Sequence, residues 1–69
     1  MNQTHPFPIG TQVVFDIAEG HAIGKAVIIS AVHDDGWLYC LDVFEGDRAN
    51  DHRNERGELW VCDFEVQGT

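Results

Sequence analysis

Two apolar stretches separated by a charged one constrain this chain more than any other feature. Trp37-Leu38-Tyr39-Cys40-Leu41-Asp42-Val43-Phe44 is dense in aromatic and branched side chains and lacks helix caps, and Leu59-Trp60-Val61-Cys62 is a shorter run of the same kind. Such side chains favour a pleated, half-buried surface over a helix. Folding the second run back onto the first predicts a hairpin around which the remaining segments pack. Alternation puts Tyr39, Leu41 and Val43 on one side and Leu38, Cys40, Asp42 and Phe44 on the other. With Val43 opposite Leu59 and Leu41 opposite Val61, the first side is wholly apolar and reads as core. The same register sets Cys40 opposite Cys62 and Asp42 opposite Trp60 on a mixed outer face, and a slip of one residue would exchange the two faces.

The rest of the chain supplies strands around this hairpin. Gln12 to Ile17 alternates and predicts a first strand; Ala18 to Gly24 carries two glycines and predicts a loop; Lys25 to Val32 is rich in β-branched residues and predicts a second strand. His33-Asp34-Asp35-Gly36 predicts a tight turn. Glu45 to Glu58 is polar throughout, interleaves Arg48, Arg53 and Arg56 with Asp47, Asp51 and Glu55, and predicts a long solvated loop with internal ion pairs. Asp63 to Val66 predicts a turn and a short closing strand. Residues 1–8, with His5-Pro6-Phe7-Pro8, predict a loose arm from which Phe7, followed by Ile9, laps onto the core. Residues 9–67 are expected to form one domain: an all-β, small five-stranded barrel with a long charged loop in its central hairpin, closing its own edges.

A resemblance rests on the order Gly10-x-x-Val13-x-Phe15, Gly24-x-Ala26-Val27, Trp37-x-Tyr39-x-Leu41-x-Val43, Leu59-Trp60-Val61 and Phe64-Glu65-Val66. This pattern resembles the SH3-like barrels of the KOW, Tudor and type II dihydrofolate reductase kind, and more faintly the small SH3-like proteins of bacterial integron gene cassettes. The resemblance implies a fold and assigns no activity. The reductase lines its active pore with a Val-Gln-Ile-Tyr segment where this chain has Leu59-Trp60-Val61-Cys62, so that activity does not carry over.

Charge bounds the partners. Twelve acidic against four basic side chains give a formal charge of -8, which repels phosphate backbones, so no nucleic-acid binding is expected. No basic-then-apolar leader and no apolar run of membrane-spanning length stand in the sequence, so a cytoplasmic location and no membrane partner are expected. Two cysteines make no disulfide framework and read as free thiols that mild oxidation could join within one chain.

Among candidate sites, Cys40 and Cys62 are more simply two small hydrophobes than half a metal centre. His33-Asp34-Asp35, with His21 or His52 as added ligands, reads as turn chemistry. No metal site and no cofactor is expected. Trp37, Tyr39, Trp60 and Phe44, with Asp42 as charge partner, carry the elements of a cage for a cationic group. Tyr39 and Trp60 fall on opposite faces of the hairpin, which counts against one cage using both. Leu38, Phe44 and Trp60, flanked by Trp37 and Asp42, form the expected interface or ligand-binding residues, since such apolar surface usually marks association. With Ser30 the only serine and no histidine adjacent in sequence to either cysteine, catalytic residues are not assigned. The expectation is a non-catalytic binding or interaction module, homo-oligomeric, taking a protein or cationic small-molecule partner; the alternative is a small-molecule-binding protein or minor enzyme with its site between subunits.

Overall fold

Five antiparallel strands form one sheet in the order β4-β3-β2-β1-β5, with little helix, in a computed structural model that describes residues 7–69. The strands are β1 (Gln12–Ile17), β2 (Ala22–His33), β3 (Trp37–Asp47), β4 (Leu59–Cys62) and β5 (Val66–Gly68). The first four follow one another as neighbours, and β5 pairs with the free side of β1. Most of the arm expected over residues 1–8 lies outside the described residues. Phe7 does lap onto the core: its ring lies 5.7 Å from that of Tyr39, and its amide donates to the Tyr39 hydroxyl at 3.0 Å. Ile9 does not, remaining 63% exposed.

The core is the face chosen from alternation. Tyr39 and Leu41 of β3 join Leu59 and Val61 of β4, Val13 and Phe15 of β1, Ala26 and Ile28 of β2 and Val66 of β5 in one buried cluster. Burying each large member contributes about 1.5–3 kcal/mol before chain entropy is set against it.

The hairpin register differs from the expected one by two residues. Tyr39 lies opposite Val61, Leu41 opposite Leu59, Leu38 opposite Cys62 and Cys40 opposite Trp60. A two-residue shift keeps every side chain on its face, so the core survives while the pairs change. Cys40 and Cys62 therefore become diagonal neighbours, at a Cα separation of about 7–8 Å, beyond the usual disulfide span.

The second and third strands run longer than their apolar cores. β2 begins at Ala22, and β3 continues through Glu45 and Gly46 to Asp47, pairing Ile23 with Asp47, Gly24 with Gly46 and Lys25 with Glu45. Backbone pairing needs no burial, so charged residues extend the ladder into solvent. Gly24 and Gly46 let the strands close over the Phe15 ring: a Cβ at Gly46 would stand 2.9 Å from the Ile23 carbonyl oxygen and 3.0 Å from Phe15 Cζ.

The excursion that follows is short and structured. Ala49–His52 forms a 3-10 turn anchored by buried Ala49. Next, the Asn54 Oδ1 accepts from the Arg56 and Glu58 amides at 2.9 Å each, while Gly57 takes φ +80°. Arg53 donates to the Asn50 side-chain oxygen and the Gly57 carbonyl at 2.7 and 2.9 Å. Thus the segment is held by an asparagine-centred turn of the kind aspartate and asparagine favour. Past β4, a 3-10 turn at Asp63–Glu65 leads into β5; the Glu65 carboxylate accepts the Cys62 amide at 2.8 Å, and Phe64 is left 82% exposed.

Candidate interaction site

The outer face of β2, β3 and β4 is laid out in cross-strand rows. Val32, Leu38 and Cys62 make the first, and Ser30, Cys40 and Trp60 the second. The third is Gln12, Val27 and Asp42. Beyond it the same face turns polar, with Val14, Lys25 and Glu45 and then Asp16, Ile23 and Asp47. The face is thus split along its length into an apolar end and a charged end.

Two bulges decide which side chains reach this face. Between Ile28 and Ser30 the pairing skips Ile29, and between Glu45 and Val43 it skips Phe44. An extra residue on one strand leaves the ladder and turns outward, and Ile29 and Phe44 are accordingly 51% and 54% exposed. The bulge at Ile29 also reverses the alternation of β2, so that Val32, 46% exposed, falls on the outer face beside Leu38. Neither Ile29 nor Val32 is distinguished in the sequence, because a run rich in β-branched residues does not mark where a bulge falls.

Of the expected residues, the fold brings Leu38, Asp42 and Trp60 to one face. Trp37 belongs elsewhere: it packs against the core cluster, with the His33 ring edge-on at 5.0 Å. Phe44 lies four residues along β3 from Cys40, the partner of Trp60, hence about 13 Å away at the rim. The aromatic cage is therefore not assembled: Tyr39 is 2% exposed in the core, and Trp37 is on the same side.

Trp60 is fixed in place. Its indole Nε1 donates to Glu58 Oε1 at 3.2 Å, and the same oxygen accepts from Asn54 Nδ2 at 3.2 Å. These bonds to the charged form hold the Glu58 carboxyl below its ordinary value. Beneath this rim, Cys40 is buried, and desolvation, with Glu58 close by, raises its thiol pKa; burial likewise raises that of half-buried Cys62. Neither sulfur is poised as a thiolate nucleophile.

Elsewhere, an open groove runs over the paired glycines, bordered by Val14, Ile23, Lys25, Glu45 and Asp47. Among the described residues no polar or charged side chain is buried, no three metal-ligating side chains gather, and no helix is long and apolar enough to cross a membrane. Among the described residues His33, Asp34 and Asp35 do not gather with His21 or His52 into a metal-ligating group; His21 and His52 instead meet each other. No family model, curated protein or solved structure matches the chain.

Proposed function

We propose that the chain is a non-catalytic interaction module, an SH3-like barrel that associates with copies of itself through the apolar end of its outer face. The observation that carries this reading is the run of Val32, Leu38, Cys62 and Trp60 across three strands, with Val32 and the bulged Ile29 about half open to solvent. Apolar surface bounded by polar Gln12 and Asp42 is the usual form of an association site. A domain of this length buries only about 60% of its unfolded surface, so further burial between copies stabilises it appreciably. Support for the barrel comes from the core: β4 and β5, which a flat sheet would hold about 19 Å apart, contribute to one buried cluster.

Charge acts against self-association and sets its salt dependence. Copies carrying -8 repel each other, but at physiological salt the screening length is about 8 Å, so charges remote from the contact weigh little. Association should therefore tighten as salt rises. Light scattering during size exclusion tests the reading. The parent chain at micromolar concentration is expected to run as an oligomer, Trp60→Glu as a monomer, and Phe64→Ser, which alters an exposed ring off this face, as the parent. A monomeric parent, or a Trp60→Glu variant that is folded by circular dichroism and still oligomeric, overturns it.

A further inference from the structure

Two imidazoles at the charged end of the molecule are held together by backbone segments 31 residues apart. His21 closes the β1–β2 turn, where Ala18, Glu19 and Gly20 all take positive φ, the Gly20 amide donates to Asp16 Oδ1 at 2.6 Å and the His21 amide donates to the Ala18 carbonyl at 3.3 Å. Ala22, next in sequence, is fully buried and pins the start of β2. His52 ends the 3-10 turn anchored by Ala49, and Arg48, which precedes that turn, reaches the His21 carbonyl at 3.5 Å. Between them the rings stand edge to face, centroids 5.1 Å apart, with His21 Nδ1 2.9 Å from His52 Nε2.

We propose that His21 and His52 form a two-imidazole chelating site for a divalent first-row transition ion of the nickel and copper class. Imidazole nitrogen suits these ions, whereas magnesium and calcium take oxygen donors. With metal–nitrogen bonds of about 2.05 Å, two nitrogens on adjacent octahedral or tetragonal positions lie about 2.9 Å apart, and a tetrahedral angle widens this to about 3.3 Å. The separation present matches the first, and the general affinity order of nitrogen sites, which rises through nickel(II) to copper(II), points to the same ions. In the free protein one ring donates its proton to the other across the gap. For a metal to enter, that ring carries its proton on its other nitrogen instead, so that both facing nitrogens offer lone pairs and no net proton is lost. Both rings are at the surface, where pivoting toward a shared ion costs little and water completes the coordination shell. Asp16, Glu19 and Asp51 on the same two segments, and Asp47 opposite Ile23, favour a cation; Arg48 opposes it. Once bound, the ion clasps the excursion after β3 to the β1–β2 turn.

The test uses tag-free protein carrying His5→Ala and His33→Ala, which leaves the pair as the only imidazoles among the four histidines. Calorimetric titration with nickel chloride at neutral pH should give one ion per chain and a melting temperature raised by several degrees, because the metal binds the folded form. Adding His52→Gln should weaken binding roughly a hundredfold through loss of chelation and abolish the thermal shift. Magnesium should do nothing. Copper(II) should broaden amide resonances first around His21 and His52 in an NMR spectrum. Unchanged nickel affinity in folded His52→Gln or His21→Gln chains, no binding at millimolar nickel, or broadening centred elsewhere overturns the proposal.

Discussion

Gly24→Ala is expected to be the most damaging single-methyl change in the chain. The added Cβ would collide with the Glu45 carbonyl oxygen, lie 2.5 Å from Gly46 Cα and 2.8 Å from Phe15 Cζ. Two of these three obstacles are backbone of the paired strand and cannot swing aside, so the cost lies at or above the upper end of the usual overpacking range, about 3 kcal/mol. For 69 residues the total stability is about 3–10 kcal/mol, so the loss takes a third or more of it. A domain of this size loses about 4–8 °C of melting temperature per kcal/mol, hence about 12–24 °C here. Gly57→Ala is the comparator: its φ of +80° is strained for alanine but nothing lies within 4 Å of its Cβ, so about 1–2 kcal/mol is expected. Gly46→Ala, with its closest approach at 2.9 Å, should fall between. Urea denaturation with thermal melts followed by circular dichroism ranks the three. A Gly24→Ala chain no less stable than Gly57→Ala would refute the close strand crossing over Phe15.

Three further outcomes follow from the geometry. Native protein under mild oxidation should not form an intrachain disulfide, since Cys40 and Cys62 are offset by two residues, and thiol labelling should modify half-buried Cys62 before buried Cys40; mass spectrometry reads both. Asn54→Ala removes the acceptor of two amides and a donor to Glu58 and should cost about 1–2 kcal/mol in urea. The Glu58 carboxyl is held below about 4.5 in the folded chain, so the stability it contributes is complete above that pH and disappears as pH falls through the lower, folded value. Glu58→Gln should flatten the acid limb of a stability–pH profile.

The sequence revealed the hairpin, its core face and the strand count more readily than the register. Period-two alternation identifies faces, and any even shift satisfies it equally, so nothing in Tyr39, Leu41, Leu59 and Val61 distinguishes the expected pairing from the one present. Charge misled at Glu45-Gly46-Asp47, where polarity suggested a loop although the strand simply runs on into solvent. The same polarity hid the Asn54 turn, whose signal was the asparagine three residues before Gly57. Trp37 drew attention as a surface aromatic, but its odd position in β3 places it with Tyr39 and Leu41 against the core. Contacts such as His21 with His52 had no local signature at all, because they depend on where two distant turns end.

The bulges at Ile29 and Phe44 act as a matched pair of frameshifts. One lies on each strand of the same hairpin, so the pairs near the turn, such as His33 with Trp37, and those at the far end, such as Ile23 with Asp47, keep a common phase while Ala26 to Ile28 run one step out of it. Because Phe44 is the unpaired residue, removing it would let Val43 and Glu45 follow one another in a regular ladder, with Glu45, Gly46 and Asp47 still opposite Lys25, Gly24 and Ile23. Removing Ile29 would likewise leave Ile28 opposite Leu41 and Ser30 opposite Cys40, so each deletion keeps every paired side chain on its face and should be tolerated without the other. A chain built this way can shorten by one residue on either strand without changing its core, and the outward side chains of Ile29 and Phe44 are each the visible trace of one such insertion.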